Sequence, residues 1–421
     1  MEATGTLWEK YESEEDKKKK KKDKEIEEKR WAIFSIASIP LVMTLGNSML
    51  IPVLPTIEAK LNISPFQSSL IITVYSVVAI ILIPIAGYLS DKWSRKKVII
   101  PSLIITAIGG SICAIAAWFL QSYWLILVGR ILQGIGAAGA FPIVLPLVGD
   151  MFRKPENVTT SLGIVETANT LGKVLSPIIG AFLASIVWYL PFVSIPVFCI
   201  VSIILLIILV KSPKVEKPPS FKVFLDKTKK AYKYNNRWLN AVFLIGGILM
   251  FILFGVLFFL SSRLESEYGI DGIKKGLILA IPLGSLCIAS FIAGKMLKDS
   301  KKVMKRVTFI GLFLIASSIL AISFFNSLWI NIGLFVVAGI GIGIGLPCLD
   351  ALITEGIEEE TRGTISSFYS SMRFIGVASG PPVIAILMNY DVKWIFYILT
   401  ALTIICILIC LIGIRPEKDF N

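Results

Sequence analysis

Twelve long apolar runs constrain this sequence more than any other feature. Hydrophobic residues make up 55% of the 421 residues and charged residues only 17%, which is too little charge for the surface of a soluble protein of this size. Because an open strand leaves its backbone groups unbonded in lipid, we expect an all-α membrane protein. Each run is near or above the ~20 residues that a helix needs to cross ~30 Å of hydrocarbon. The predicted spans are 31–54, 66–89, 98–120, 123–148, 160–187, 190–210, 238–262, 274–297, 307–325, 328–354, 363–388 and 394–414.

Positive charge is concentrated on one side of the predicted membrane. Loops rich in Lys and Arg stay on the cytoplasmic side. We therefore expect a multi-pass protein of the bacterial cytoplasmic membrane with both termini in the cytoplasm. The net charge of +13 then serves topology rather than nucleic-acid binding. With a cytoplasmic N-terminus, only five of the 42 Lys and Arg residues fall in outward loops, namely Lys60, Arg263, Lys274, Lys275 and Lys393.

The second half of the chain repeats the first. Three pairs of matching segments, 133–142 with 338–347, 171–181 with 375–385 and 87–98 with 294–303, have offsets of 205, 204 and 207 residues. Two six-helix bundles related by such a repeat, with a site between them at the midplane, are typical of a rocking transporter. The N-terminal tail is expected to be solvated or to contact anionic lipid. The predicted organisation is a charged cytoplasmic tail (1–30), a first bundle (31–210), a Lys-rich cytoplasmic linker (211–237), a second bundle (238–414) and a short cytoplasmic tail (415–421).

The loop between the second and third spans, GYLSDKWSRKK, carries a family motif. It resembles the signature loop of the major facilitator superfamily, G-x-x-x-D-x-x-G-R-[RK], with Ser94 where the pattern prefers Gly. We expect Gly87 to let the second span approach its neighbour closely. Arg95 and Lys96 are expected to lie beside Asp91, the acidic residue of this loop, and to form a conformational gate with it. The resemblance implies the major facilitator fold, in which this acid, here Asp91, meets the N-terminal end of the eleventh span and latches the outward-facing state.

Two further segments resemble motifs of proton-driven members of that family. LVGRILQGIGAA in the fourth span places Arg130 and Gln133 inward, and since a lone Arg in a span is costly unless it is paired or hydrated, a function is expected for Arg130. LGKVLSPIIGA in the fifth span resembles the motif G-x-x-x-G-P-x-x-G-G of the drug/proton antiporter branch, with two of its glycines replaced. Pro177 is expected to kink this helix, and Gly172 and Gly180 to let the fifth and eighth spans approach.

Ionisable residues inside the spans are candidates for the transport site. Glu166 and Lys173 lie seven residues apart on the fifth span, so they share a face about 10.5 Å apart along the axis, with Asn169 between them. Glu166 is the candidate proton carrier, and Lys173 a candidate contact for an anionic substrate. The repeat places Arg373 at the position of Asn169, and both residues are candidate substrate contacts. Asp350 is expected either to take part in proton coupling or to form a static pair with Arg373.

The first span departs from the antiporter pattern, because it contains no carboxylate, and the sequence has no histidine. Proton coupling is therefore expected to depend on Glu166 or Asp350, with Arg130 as a further candidate. The remaining candidate substrate contacts are the polar residues Asn47 and Gln133 and the aromatic residues Phe141 and Tyr369.

These patterns predict a transporter and not an enzyme. The sequence contains no phosphate-binding loop, metal-ligand cluster or nucleophile arrangement, so neither a cofactor nor a metal is expected. The first expectation is a monomer that exports drug-like, small organic or amphiphilic compounds in exchange for protons, by alternating access. The alternatives are an exporter or flippase of an anionic or lipid-like metabolite, such as a siderophore or a lipid-linked precursor, and a nutrient uptake carrier. Lys173 and Arg373 weigh against a purely cationic substrate.

Overall fold

The computed structural model describes residues 29–151, 155–210, 221–296, 300–357 and 359–415. All regular elements in these ranges are helices, and twelve of them are long and apolar enough to cross a membrane, which confirms the predicted fold class. A 3-10 turn at Ile51–Val53 interrupts the first helix, and the fourth breaks after Ala140 and resumes at Val144. The helices are α1 (Lys29–Leu61), α2 (Pro65–Trp93), α3 (Arg95–Ile115), α4 (Tyr123–Met151), α5 (Pro155–Ile186), α6 (Leu190–Leu209), α7 (Phe221–Ser266), α8 (Gly272–Met296), α9 (Lys301–Ile322), α10 (Leu328–Gly356), α11 (Glu359–Leu387) and α12 (Val392–Gly413).

The helix α7 begins earlier than the seventh predicted span. It starts at Phe221, inside the segment predicted as a linker (211–237), so much of that segment is helical. The sequence from Phe221 to the end of the predicted linker contains neither Pro nor Gly, and Pro218 and Pro219 lie just before it. This placement is physically consistent, because Pro is well tolerated just before a helix and in its first turn and is disfavoured in its interior. The beginning of the linker and most of the two predicted tails lie outside the described residues.

The internal repeat is visible in the helix packing. On α4, a Cβ atom added to Gly134 would lie 2.5 Å from the carbonyl oxygen of Tyr75 on α2. At the equivalent position of α10, 205 residues later, a Cβ atom on Gly339 would lie 2.5 Å from the carbonyl oxygen of Pro282 on α8. Small residues at such positions let helix backbones approach closely in a membrane. The same close glycine contact therefore occurs in both bundles, between α2 and α4 in the bundle α1–α6 and between α8 and α10 in the bundle α7–α12.

Basic residues at the ends predicted to be cytoplasmic bond to the last turns of neighbouring helices. Lys96 Nζ, at the start of α3, donates to the carbonyl oxygens of Ile207 (3.1 Å) and Val210 (2.7 Å) at the end of α6. In the second bundle, Lys305 Nζ on α9 donates to the carbonyl oxygen of Leu411 on α12 at 2.9 Å. The last carbonyls of a helix lack partners within it and carry partial negative charge. These lysines therefore stabilise helix ends in addition to their predicted role in topology.

The two bundles contact each other through the halves of their helices that are predicted to lie toward the outside, here called the outer halves. Thr73 Oγ1 on α2 donates to the carbonyl oxygen of Ala378 on α11 at 2.6 Å. Between α8 and α5, a Cβ atom on Gly276 would lie 2.4 Å from the carbonyl oxygen of Pro177. Near the other end of α2, a Cβ atom on Gly87 would meet nothing within 4 Å, so the close approach predicted for Gly87 is absent. The outer halves of the two bundles are therefore packed directly against each other, whereas Gly87, near the other end of α2, makes no such close contact.

The prediction that Gly172 and Gly180 bring α5 to α8 is wrong. Both glycines face α1 instead, and a Cβ atom on Gly180 would lie only 2.0 Å from the carbonyl oxygen of Met49. The contact with α8 is made by the other side of α5, where Pro177 approaches Gly276. A helix presents its residues around the full circumference at 3.6 per turn, so a small-residue motif does not specify which neighbour it meets.

Replacing Gly180 with Ala is expected to destabilise the protein by about 1–3 kcal/mol, because the added methyl group would overlap the backbone of Met49. The matched control is Gly163→Ala on the same helix, where an added Cβ atom meets nothing within 4 Å. There Ala is expected to leave stability unchanged or to raise it by about 0.5–1 kcal/mol. Thermal unfolding of the detergent-purified variants measures both effects. Equal midpoints for the two variants would contradict the close α1–α5 contact.

Candidate functional site

A narrow cavity, with room for little more than a water molecule, lies between the two bundles. Its walls come from α1 and α5 of the first bundle and from α7 and α8 of the second, and they are mostly aliphatic. Among these residues Lys173 is the one with an ionisable side chain. Sites for small organic molecules have the same make-up, with mostly apolar walls and a few placed polar groups that fix orientation, but they are much larger than this cavity. The lining residues are Ser48, Ile51, Pro52, Lys173, Pro177, Leu253, Phe254, Leu257, Leu279 and Leu283.

Lys173 has no hydrogen bond or ion pair with another residue in the part of the chain that the structure describes. Its charge interacts over longer distances with the carboxylates of Glu166 and Asp350 and with the cation of Arg373. Direct Glu166–Lys173 pairing is absent, in agreement with the two-turn separation on α5. An ammonium group in a mostly apolar cavity that lacks a close counter-ion is suited to hold an anionic group of a ligand.

Arg373 and Asp350 form an ion pair. Such a pair was one of the two alternatives expected for Asp350 from the sequence. Arg373 Nη1 on α11 lies 3.3 Å from Asp350 Oδ1 on α10, and the two side chains are 19% and 35% exposed. The guanidinium carbon also lies 5.6 Å from the centre of the Tyr369 ring, which stacks on Phe243 at 6.1 Å. Tyr369 is buried behind the pair rather than open to a ligand. This long and partly exposed pair leaves other guanidinium donors available for an incoming anion.

Glu166 is exposed and is linked to α1 through Asn169. Asn169 Nδ2 donates to Glu166 Oε1 at 3.1 Å, and Thr44 Oγ1 donates to Asn169 Oδ1 at 2.6 Å. Both functional atoms of the buried Asn169 amide are therefore engaged. Asn169 orients the Glu166 carboxylate, and this is a different role from the substrate contact predicted for it.

Arg130, Gln133 and Asn47 lie together inside the first bundle. Arg130 is fully buried, and its guanidinium donates to Gln133 Oε1 at 2.7 Å, to Asn47 Oδ1 at 2.5 Å and to the carbonyl oxygen of Ile71 at 2.7 Å. It also lies 4.6 Å from the centre of the Tyr75 ring. The acceptor atoms of Asn47 and Gln133 are thus occupied by Arg130. The cluster joins α1, α2 and α4, and none of its three residues lines the cavity between the bundles, although the buried Gln133 Nε2 has no hydrogen-bond partner among the described residues.

Phe141 lies where α4 is interrupted, and Arg95 lies at the start of α3, at the end of the bundle predicted to be cytoplasmic. The Phe141 ring lies 6.4 Å from the ring of Phe374 on α11, in an edge-to-face contact between the bundles. Arg95 Nε lies 3.0 Å from Asp150 Oδ2, and its Nη1 donates to Ser90 Oγ at 2.8 Å, so Arg95 ties the start of α3 to the ends of α2 and α4. The side chain of Asp91 lies outside the described residues, and its contact with α11 stays a prediction.

Sequence reasoning missed most of the cavity wall. Ser48, Pro52, Leu253 and Phe254 line the cavity, yet in the sequence they are ordinary residues of apolar runs. Apolar side chains that face lipid, a bundle core or a cavity share one hydropathy pattern, so the pattern could not separate them. One available signal was the position of Ser48 and Pro52 beside Asn47, in the stretch where α1 is interrupted.

The chain matches known membrane transporters over nearly its whole length. The family model described as Major Facilitator Superfamily matches residues 36–381 and 266–420. A protein of Bacillus subtilis (strain 168) named Bacillibactin exporter is 53% identical over 391 residues, covering 92% of this chain and 97% of that protein. Tetracycline resistance protein, class H, of Pasteurella multocida is 24% identical, with 86% and 90% covered. The crystal structure of a bacterial homolog of the human lysosomal transporter Spinster, inward-facing and unoccupied, is 18% identical, with 93% of this chain and 98% of that chain covered and a TM-score of 0.75.

Proposed function

Because this chain belongs to the major facilitator superfamily, we propose that it exports bacillibactin, or a siderophore of closely similar chemistry, as an anionic substrate across the cytoplasmic membrane. The chain is a multi-pass membrane transporter of a small molecule and not an enzyme. The proposal concerns the identity and the charge of that molecule, the direction of transport and its coupling.

The relatives favour the siderophore alternative over the first expectation of drug efflux. The bacillibactin exporter shares 53% of aligned residues, whereas the tetracycline resistance protein shares 24% at similar coverage. Substrate specificity in a common fold depends on the residues of the site rather than on the fold. A relative that keeps over half of all positions therefore supports a shared substrate better than one that keeps a quarter.

The observation that carries the proposal is the unpaired ammonium of Lys173 in the cavity between the bundles. A ligand anion bound there gains a charge-assisted hydrogen bond in an environment of low dielectric constant. A cationic drug would meet Lys173 and Arg373 and be repelled by both. The aliphatic walls supply the area for the uncharged body of the substrate.

We further propose that Glu166 couples export to proton entry. Glu166 is exposed and lies on the same helix as Lys173, and its charge interacts at long range with the Lys173 ammonium. Arg130 is not assigned as the proton carrier, since a guanidinium keeps its proton in proteins. Its bonds to α1, α2 and α4 give it a positioning role within the first bundle.

Expression of this chain in a Bacillus subtilis strain that lacks its own bacillibactin exporter tests the substrate. Without an exporter, we expect bacillibactin to accumulate in the cells and to fall in the medium. The chain is expected to restore the amount in the medium, measured by chromatography of cells and supernatant. Susceptibility to tetracycline and quinolones is expected not to change. Unrestored export together with raised drug resistance would contradict the proposal and support drug efflux.

A further inference from the structure

Four polar side chains from four helices meet near the outer ends of the two bundles. In the first bundle, Ser68 Oγ on α2 donates to Glu58 Oε1 on α1 at 2.5 Å. In the second bundle, Lys275 Nζ on α8 is bonded to a carboxylate oxygen of Glu265 on α7. Lys275 was counted from the sequence among the charges of the outward loops, but its side chain is only 2% exposed. Each bundle thus brings one bonded pair to the boundary.

The two pairs lie close enough to act on each other across the boundary. The Glu58 carboxylate interacts electrostatically with both Glu265 and Lys275 of the other bundle. Close by, the buried Ser261 hydroxyl on α7 donates to the carbonyl oxygen of Ile51 on α1 at 3.1 Å. These contacts are between helices that must separate when the transporter opens to the outside.

The charges of this cluster are balanced in a specific way. Two carboxylates from opposite bundles, Glu58 and Glu265, repel each other, and burial would strengthen that repulsion. Lys275 neutralises Glu265 directly and attracts Glu58, so that the two acids lie near each other in the closed state. A buried Lys would be costly without such partners.

We propose that Glu58, Glu265 and Lys275 form a charge-balanced outer gate, in which Lys275 permits closure and the balance of the three charges sets how readily the transporter opens outward. The gate does not depend on the identity of the substrate, so this proposal is tested independently of siderophore export. It makes opposite predictions for two residues that are bonded to each other. Loss of Lys275 leaves two facing acids and favours opening, whereas loss of the Glu265 charge leaves Lys275 to attract Glu58 and favours closure.

Thiol labelling at Ser261 reports the state of this gate. A Ser261→Cys variant in intact cells is treated with a membrane-impermeant maleimide, and the unaltered protein with its six cysteines gives the background. Adding Lys275→Met is expected to raise the labelling rate about tenfold through repulsion of the two acids. Adding Glu265→Gln is expected to lower the rate below that of Ser261→Cys alone. The combination Lys275→Met with Glu58→Gln is expected to return the rate to near the parent value.

The matched control is Arg263→Met, which changes the charge at the outer end by the same amount. Arg263 Nε pairs with Glu267 Oε2 at 2.6 Å, four residues later at the end of α7, so this change leaves the Glu58–Ser68 and Glu265–Lys275 pairs intact. Its labelling rate is expected to equal that of the parent. A change of the same sign for Lys275→Met and Glu265→Gln would overturn the proposal, because loss of packing has no charge sign. If Lys275→Met fails to reach the membrane, an unchanged or raised rate for Glu265→Gln alone overturns it.

Discussion

Replacing Lys173 with Met is expected to reduce the rate of siderophore export by about 10- to 100-fold. A hydrogen bond to a charged group contributes about 1.5–3 kcal/mol, and about 1.4 kcal/mol corresponds to a factor of ten. Met keeps most of the length of the Lys stem and removes the ammonium, so the walls of the cavity stay filled while the anion contact is lost. Lys173→Arg is expected to retain a substantial part of the rate, because it keeps the charge.

Initial rates in inside-out membrane vesicles, measured over a range of bacillibactin concentrations, give the result. Lys274→Met is the matched control, since Lys274 is exposed at the start of α8 and lies outside the cavity lining. Wild-type rates are expected for that control. If Lys173→Met exported as fast as the wild type, Lys173 would be a counter-charge for Glu166 and Asp350 alone, and the substrate would meet its cation elsewhere.

Replacing Glu166 with Gln is expected to abolish stimulation of export by a proton gradient while leaving the protein folded. Gln keeps the oxygen that accepts a hydrogen bond from Asn169 Nδ2, so the link from α5 to α1 is preserved. What is lost is a group able to bind and release a proton. A gradient of one pH unit supplies about 1.4 kcal/mol per proton, which drives about a tenfold accumulation ratio in the coupled wild type.

Accumulation in vesicles with and without a pH gradient separates coupling from transport. Glu166→Gln is expected to give the same accumulation in both conditions, with exchange of labelled for unlabelled substrate retained. Glu267→Gln is a suitable control, because Glu267 is exposed at the outer end of α7, where it pairs with Arg263. Gradient-dependent accumulation by Glu166→Gln equal to that of the wild type would move proton coupling to Asp350.

The fold was predictable from the sequence because hydropathy runs, loop charge and the repeat are all properties of the chain itself. Arg373 and Asp350 were identified because an ionisable residue in an apolar run is rare, and burial of such charges favours pairing. The unpaired state of Lys173 was not predictable. It depends on how far Glu166 and Asp350 lie from its ammonium, and spacing along one helix constrains only the first of these distances.

The predictions that were wrong concern what a residue contacts and whether it is buried, and not which residues were singled out. Gly180 was recognised as a site of close helix contact, but α1 and α8 flank α5 on different sides and the motif does not choose between them. Gly87 was expected to be tightly packed, but an added Cβ atom there would meet nothing within 4 Å. Lys275 was interpreted as a loop charge, since it lies at the edge of a predicted span, yet its side chain is buried and bonded to Glu265.

The most direct test of siderophore export is transport by the purified chain in proteoliposomes whose lumen is acidic, with the cytoplasmic face of the protein outward. We predict accumulation of bacillibactin in the lumen, stimulated by the pH gradient and abolished by Lys173→Met, with no accumulation of tetracycline under the same conditions. Accumulation of tetracycline together with failure to transport bacillibactin would contradict the account.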